Sequence, residues 1–364
     1  MKKRKKLFAL AACVCCIGLF PVKADAETDL EQLTRQYEDY QERFEAIDNA
    51  EDISKNGFYI IESQSFPVIL ETFEEEEVNF LPIMDSKYRR LALLITDESG
   101  NVLYKTNQLE TNNRYLGEMK QPTRKLAAVS FQDVNRDGLT DIILITECIN
   151  DVGDYAGKTY KVGDVLFQRT GSFYRDWRIS DKVNRFGMNK NIHCIVSYVR
   201  DGNSTEALYT ATTLKELRTH GFRVIKEQNY YRTFEKQGQL QIVPGIIRIA
   251  EYDIFMIYLV NEQGDIVWSF QPMEDYDNLY ALRGMACRDL DGDGMKDILV
   301  LGRYSYSGSN GELLIDTRCS IYYQRTDGFD VDTEFEETYQ CTKDDTVEGL
   351  TQIIREYWGW TVEE

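Results

Sequence analysis

The sequence is poor in the residues on which most metal and acid–base chemistry depends. It has two histidines, His193 and His220, among 364 residues. It lacks the H-E-x-x-H motif of metalloproteases and the G-x-S-x-G motif of serine hydrolases. Outside the first 26 residues there is no C-x-x-C pair that would suggest zinc. These absences argue against zinc sites and serine hydrolysis, and we expect the two histidines to be ordinary surface or packing residues.

The sequence also has only one apolar run of note, and that run lies at its start. A basic segment, MKKRKK, precedes LFALAACVCCIGLF, and Ala24-Asp25-Ala26 follows as an A-x-A cleavage site. We therefore predict a signal peptide over 1–26, no later transmembrane span, and a secreted or cell-surface location. An alternative reads Leu10-Ala11-Ala12-Cys13 as a lipobox, which would leave a lipid anchor at Cys13.

Positive charge is in short supply. The formal net charge is −19, and removing the leader makes the chain more negative, because the leader carries six Lys or Arg and one Asp. A chain this acidic is not expected to bind nucleic acid or anionic lipid. Five cysteines follow the leader, an odd number. Cys319 and Cys341 flank a predicted hairpin and could form a disulfide, or both could be buried thiols.

The remaining sequence is a tandem duplication. Gly57 and Gly100 match Gly221 and Gly264 at one offset, whereas QRTGSF at 168–173 matches QRTDGF at 324–329 at an offset eight residues shorter. One length change between Tyr104 and Asp133 reconciles the two halves. We divide the chain into an N-terminal helix over 27–50, a first copy over 51–200 and a second copy over 201–364.

The pattern within each copy predicts mainly β structure with a few flanking helices. Alternating apolar segments around glycine-containing turns give about eight strands per copy, enough for two four-stranded blades, so the fold predicted is a duplicated, β-propeller-like body of about four blades. Helices are predicted over 27–50, 205–217 and 346–358. The first helix has an apolar seam that would dock on its own domain or zip with a partner, made of Leu30, Leu33, Tyr37, Tyr40, Phe44 and Ile47.

Two nonapeptides carry the strongest chemical signal. DVNRDGLTD at 133–141 and DLDGDGMKD at 289–297 place oxygen-bearing side chains at alternate positions, with a glycine that permits a sharp turn. In such a loop, positions 1, 3, 5 and 9 offer side-chain oxygens and position 7 offers a backbone carbonyl. The candidate ligands are Asp133, Asn135, Asp137, Leu139 and Asp141 in the first loop, and Asp289, Asp291, Asp293, Met295 and Asp297 in the second.

Calcium is the metal that these donors favour, because they are all oxygens and five protein donors are available. An EF-hand would need glutamate at position 12 and a following helix, whereas position 12 is Leu144 or Val300 and apolar strand-forming runs follow. The alternative is that both segments are polar turns, since turns are rich in Asp and Gly. We predict two structural calcium sites.

These loops resemble the FG-GAP or VCBS-type repeats of integrin-α-like β-propellers, in which a D-x-[DN]-x-D-G-x-x-D loop joins two strands of a blade. GSF at 171–173 and DGF at 327–329 are similar to a turn found later in those repeats. The resemblance covers about 50 residues per copy. It implies calcium-braced blades, whereas blades over 57–104 and 221–268 rest on strand count alone.

The expected function is an exported calcium-binding protein that binds or scaffolds an extracellular protein or carbohydrate, a binding protein and not an enzyme. Ligand contact is expected from the loops that differ most between the copies, 148–164 and 304–319. Two alternatives stay open. One is a secreted glycan hydrolase with structural calcium, because paired carboxylates leave no spacing signature. The other is an envelope protein that oligomerises through its N-terminal helix.

Overall fold

The computed structural model describes residues 22–73, 77–112, 123–150, 156–273, 278–308 and 312–360. Most of the predicted signal peptide, including Cys13, lies outside this part of the chain. The side chain of Leu30 does too. In the described ranges, no helix combines the length and the apolar character needed to cross a membrane.

The described residues form a mainly β structure of four antiparallel sheets, flanked by helices and without a closed barrel in these ranges. The first copy contains α1 (Val22–Glu45), α2 (Ala50–Lys55), β1 (Phe58–Ile60), β2 (Phe66–Val68), β3 (Val78–Asp85), β4 (Leu91–Thr96), β5 (Val102–Thr106), β6 (Thr123–Gln132), β7 (Asp141–Ile149), β8 (Thr159–Arg169), β9 (Ser172–Arg175), α3 (Trp177–Arg185) and α4 (Ile192–Asp201). The second contains α5 (Glu206–Thr210), α6 (Leu214–Thr219), β10 (Arg223–Val224), β11 (Tyr230–Phe234), β12 (Gly238–Ile249), β13 (Tyr252–Val260), β14 (Ile266–Phe270), β15 (Asn278–Arg288), β16 (Asp297–Ser307), β17 (Leu313–Arg325), β18 (Gly328–Val331), α7 (Thr333–Thr338) and α8 (Val347–Tyr357).

Each copy contributes two sheets with the same strand order. Sheet A follows β1-β3-β4-β5, and β2 pairs with the same edge of β3 as β1; sheet B follows β6-β7-β8-β9. Sheet C (β10 to β14) repeats sheet A, and sheet D (β15 to β18) repeats sheet B. The larger of the two sequence separations between matching residues of the copies still relates β5 to β14, and the smaller one relates β7 to β16. The length change therefore lies between β5 and β7, inside the predicted interval.

The central strands are apolar on both faces because each sheet is covered on both sides. In β7, Ile142 and Leu144 pack in one cluster with sheet A, whereas Ile143 and Ile145 pack in another with α3, α4 and the second copy. In a strand, successive side chains point to opposite faces, so a continuous apolar run such as IILIT is what a doubly covered strand requires. β16 repeats the pattern between sheet C and α7 with α8.

Helices cover the outer faces of sheets A and D. The second half of the α1 seam, from Tyr40 to Phe44 and Ile47, is buried against sheet A. These side chains are therefore not available to a partner helix. At the other end, Leu350 and Ile354 of α8 are buried against sheet D. Between these ends, one continuous core cluster joins sheet B, α3 to α6 and sheets C and D, so the two copies share a hydrophobic core.

Two helix boundaries differ from the sequence prediction. The N-terminal helix over 27–50 is α1 followed by a separate α2, and the helix over 205–217 is α5 followed by α6. Both breaks have the same cause, because a residue between the two helices pairs with the hairpin turn of the neighbouring sheet. Asn49 pairs with Asn101, Thr213 pairs with Asp265, and each side chain then caps the following helix.

Candidate metal centre

The two predicted loops occupy equivalent places in the fold. The first loop (133–141) joins β6 to β7, where Gln132 pairs with Asp141, and the second loop (289–297) joins β15 to β16, where Arg288 pairs with Asp297. Gly138 and Gly294, at position 6, have φ values of 85° and 84°. This left-handed conformation is the reason that both loops need glycine there.

The aspartate at position 9 is buried and closes each loop. Asp141 accepts hydrogen bonds from the amides of Val134 (3.0 Å) and Gln168 (2.9 Å). Asp297 accepts the equivalent bonds from Leu290 (2.8 Å) and Gln324 (2.9 Å). Both aspartates are 0% exposed. Each therefore joins the start of its loop to the adjacent strand.

Burial makes these carboxylates hard to ionise without a counter-charge. Desolvation raises the pKa of Asp297 to about 7, with Asp291 and Asp293 adding to the shift. The pKa of Asp141 is raised for the same reason, with smaller contributions from Asp137 and Asp133. A buried carboxylate with carboxylate neighbours is stabilised as an anion by a nearby cation.

The other loop carboxylates fold the turn around themselves. Asp133 accepts hydrogen bonds from the amides of Arg136 (2.6 Å) and Gly138 (2.9 Å). In the second loop, Asp289 accepts from Gly292 (2.7 Å) and Gly294 (2.9 Å). At position 5, Asp137 and Asp293 accept from the amides of Leu139 (2.9 Å) and Met295 (2.8 Å). The predicted metal-binding role of the Leu139 and Met295 carbonyl oxygens stays a prediction.

The second loop brings three carboxylates together. One oxygen each of Asp289, Asp291 and Asp297 lies within 4.8 Å of the others. Calcium binds oxygens at about 2.3–2.6 Å, so two ligands on opposite sides of the ion stand roughly 5 Å apart. The spacing and the oxygen chemistry of these side chains therefore fit calcium. In the first loop, Asn135 replaces the central aspartate, and its amide donates to Asp137 (2.8 Å).

An arginine distinguishes the second loop from the first. Arg325 donates to Asp291 (2.9 Å) and Asp293 (3.2 Å), and its guanidinium lies 5.1 Å from the centre of the Tyr323 ring. The equivalent Arg169 lies 5.9 Å from the Tyr174 ring instead. The second loop thus has one more aspartate than the first and one cation paired with it. Arg325 therefore supplies a positive charge beside the additional aspartate, Asp291.

A glutamate from the neighbouring sheet holds each loop, and sequence reasoning missed it. Glu71, which follows β2, accepts hydrogen bonds from the amide and hydroxyl of Thr140 (both 2.8 Å). Glu235, at the equivalent position in the second copy, accepts from the amide of Lys296 (2.9 Å) and forms a salt bridge with its ammonium group. Burial opposes ionisation of Glu235, but the hydrogen bonds that it accepts, from Lys296 and Gln324 among others, outweigh burial and lower its pKa to about 2. The matching offset of the two glutamates was the available signal.

The second loop also contacts the C-terminal segment. Arg355 of α8 donates to the carbonyl oxygen of Asp289 from Nε (3.2 Å) and Nη2 (2.8 Å). The Trp360 ring stacks on the same guanidinium, 4.3 Å away. The first loop is linked to α4 through Arg136 and Asp201 (3.2 Å). Each loop therefore connects a sheet to a helix of its own copy.

Other titratable groups take ordinary partners. His193 pairs with Glu251 (3.1 Å), and His220 Nδ1 lies 3.0 Å from the Glu216 carbonyl oxygen on the same helix. Cys319 and Cys341 are both free thiols whose side chains hydrogen-bond each other. That contact raises the pKa of Cys319 and lowers the pKa of Cys341. Of the two alternatives, the structure has the thiols, with Cys319 buried, Cys341 half-buried and no disulfide between them.

Comparison with known proteins identifies no family for this chain. No protein-family model matches it, and no curated protein does. Among solved structures, a similar chain is an exo-inulinase from Aspergillus awamori, with 12% sequence identity and a TM-score of 0.22. The match covers 76% of this chain and 50% of the inulinase chain. At that TM-score, the similarity supports no statement about the fold or the activity of this chain.

Proposed function

We propose that this chain is an exported calcium-binding protein with a propeller-like body, which binds or scaffolds a ligand at the cell surface or in the extracellular space. The observation that carries the calcium assignment is the convergence of Asp289, Asp291 and Asp297. Support also comes from the first loop, which repeats the fold position and the buried closing aspartate, Asp141. Neither loop offers a nitrogen or sulfur donor among the proposed ligands, which favours calcium over zinc.

The role proposed for calcium is structural. Two carboxylates about 4 Å apart repel each other by roughly 4 kcal/mol at an effective dielectric constant of 20, and by less where water screens them. Calcium, when bound, supplies the positive charge that offsets this repulsion. Asp297 and Asp141, the first residues of β16 and β7, would then hold the start of each loop through the amides of Leu290 and Val134.

The expected gain in stability is modest. Extracellular sites of this kind bind calcium with dissociation constants of about 10⁻⁴–10⁻³ M. At a tenfold excess of calcium over the dissociation constant, each site contributes about 1.4 kcal/mol. A gain of this size suits a brace for two hairpins and not a folding switch.

Thermal unfolding in calcium and in chelator tests this proposal. Asp137→Ala or Asp293→Ala should lower the melting temperature clearly more in millimolar calcium than in chelator, where only the turn contacts of these side chains are lost. A suitable control is Asp97→Ala, because Asp97 accepts an amide hydrogen bond from Asn101 (2.8 Å) in an exposed turn outside both loops. Equal losses for a loop variant in the two conditions would show that these residues are turn formers only.

A further inference from the structure

Strand β17 has one edge that is only partly covered by its neighbour in sheet D. It pairs with β16 without a bulge from Leu313 to Tyr322, whereas β18 pairs with it only from Tyr322 onward. In an antiparallel strand, the backbone groups of successive residues point alternately to the two sides. Ile321 bonds on the side away from β16, because its amide donates to Glu336 Oε1 (3.1 Å) and its carbonyl oxygen accepts from the amide of Asp332 (3.1 Å). The odd-numbered residues of β17 therefore present their backbone groups to this edge.

The open part of the edge covers residues 313–317, and we call it the β17 edge. Leu313, Ile315 and Thr317 have no hydrogen-bond partner on this side among the residues that the structure describes. The next edge-facing residue, Cys319, is closed off by its contact with Cys341. Unpaired backbone groups at the edge of a sheet are a template on which another strand can add.

The first copy closes the equivalent edge. In β8, Lys161 stands where Thr317 stands in β17. Asn189 donates to the carbonyl oxygen of Lys161 (2.6 Å), and Asn184 bonds to both the amide (2.8 Å) and the carbonyl oxygen (2.9 Å) of Gly163. The same side of the same strand is thus capped by asparagines in one copy and open in the other.

The side chains of the two edges differ in the same sense. Leu313 and Leu314 replace Gly157 and Lys158 of the first copy, and they are 66% and 36% exposed. Natural proteins commonly protect a sheet edge with lysine, proline or a bulge, and none of these occurs over 312–318. The β17 edge therefore combines open backbone groups with exposed apolar side chains, a combination that suits pairing with another strand.

The sequence of this edge is complementary to itself. With a second copy placed antiparallel about a twofold axis at Ile315, Leu313 lies opposite the partner's Thr317, and Ile315 lies opposite itself. In the same register, Glu312 lies opposite the partner's Arg318. Opposite charges directly across an antiparallel pair are stabilising, and the twofold axis makes each contact occur twice.

Other registers are less favourable. An axis at Leu314 places Glu312 opposite the partner's Asp316, and an axis at Asp316 places that residue opposite itself, so both bring carboxylates together. An axis at Thr317 would require pairing with Ile321, whose backbone groups on this side are already bonded. The axis at Ile315 is the one that pairs the three open residues with each other.

We infer that two copies of this chain associate through the β17 edge, with residues 312–318 paired antiparallel about Ile315. The calcium loop lies at the other end of the β16–β17 hairpin, before Asp297. The inference therefore does not depend on calcium binding, and either can fail alone. One strand per copy buries less than the roughly 1,200 Å² typical of stable complexes, so we expect a reversible dimer with a dissociation constant on the order of 10–100 µM.

Sedimentation velocity of the whole protein, at concentrations from well below to well above that value, tests the inference. Ile315→Pro removes an N–H group that faces the edge and none that bonds to β16, so the hairpin should survive while dimerisation weakens about tenfold or more. Thr159→Pro is the matched control, because Thr159 holds the equivalent position in β8 and also faces away from the neighbouring strand. It should leave the association unchanged. Thermal unfolding checks that both variants are folded.

Charge reversal tests the register. Glu312→Arg and Arg318→Glu each place like charges opposite one another twice per dimer and should weaken the association roughly tenfold. The double variant restores opposite charges and should bind within about threefold of the wild type. The inference is overturned if the wild type stays monomeric at the highest concentration, or if folded Ile315→Pro dimerises like the wild type. It is also overturned if folded Thr159→Pro weakens the association as strongly, or if the double charge variant binds no more tightly than the single ones.

Discussion

Replacing Arg325 by glutamine tests whether this arginine stabilises the acidic second loop when no metal is bound. Arg325 contacts Asp291 and Asp293 at 2.9 and 3.2 Å. Each contact is worth about 5 kcal/mol of gross Coulomb attraction at an effective dielectric constant of 20. The Arg325 side chain is 32% exposed, so solvent screening and desolvation reduce the net contribution to about 1 kcal/mol. We expect Arg325→Gln to lower the free energy of unfolding by that amount in chelator.

Although Arg325→Gln should destabilise the protein in chelator, it should strengthen calcium binding. Arg325 neutralises the same carboxylates that calcium would bind, so it competes with the metal. Removing about 1 kcal/mol of competition should tighten calcium binding at the second loop about fivefold. In saturating calcium, the variant should therefore be nearly as stable as the wild type.

Calcium titrations of the metal-free protein, followed by calorimetry and by melting temperature, measure both effects. Arg169→Gln is the matched control, because Arg169 holds the equivalent position and lies over the Tyr174 ring. That variant should leave calcium affinity at the second loop unchanged. Weaker calcium binding by Arg325→Gln, or an equal loss of stability in calcium and in chelator, would refute the competition argument.

Three further predictions concern other parts of the chain. Burial raises the pKa of Asp164 to about 6, so the stability that this group contributes is full below about pH 4 and is lost as the pH rises through about 6. In urea unfolding measured between pH 4 and 7, Asp164→Asn should therefore remove a change on the order of 3 kcal/mol from the free energy of unfolding. An unchanged pH profile would contradict this. Glu235→Gln should cost roughly 1–2 kcal/mol and weaken calcium binding at the second loop only, whereas Glu71→Gln should affect the first loop only; calorimetry of both variants would expose a shared effect. Oxidised glutathione should convert the adjacent thiols of Cys319 and Cys341 to a disulfide that stabilises the fold by about 3 kcal/mol, and mass spectrometry that finds both thiols still free would exclude it.

The features that could be predicted from the sequence are those set by residues close together in the chain. Alternate oxygens and a glycine specify a turn that folds on its own carboxylates, and both nonapeptides adopt that turn. Apolar runs such as IILIT and ILVLG predicted buried strands, and these became the doubly covered strands β7 and β16. The predicted helix over 346–358 corresponds to α8, with Thr346 as its N-cap.

Features that depend on distant contacts were not predictable from periodicity. Glu71 and Glu235 are separated from the residues they hold by 69 and 61 positions. Both belong to the duplicated pattern, so a residue-by-residue alignment of the copies could have singled them out. Arg325 required a different clue, since Arg169 has the same sequence context. That clue was the extra aspartate, Asp291, at the position of Asn135.

The helix breaks were also decided by long-range contacts. The apolar seam of the predicted N-terminal helix continues to Ile47, yet α1 ends at Glu45. The backbone of Asp48 accepts a hydrogen bond from Val102 (3.0 Å), and that of Thr212 accepts the equivalent bond from Ile266 (2.8 Å). These β contacts fix an extended conformation before the next helix. Helical periodicity carries no information about such pairing.

Equilibrium dialysis of the metal-free protein against calcium tests the central claim most directly. We predict two bound calcium ions per chain in the wild type, and one in each of Asp133→Ala and Asp289→Ala, with the other loop unaffected. Wild-type protein that stays folded and binds no calcium at millimolar concentration, or variants that bind as much as the wild type, would contradict the account.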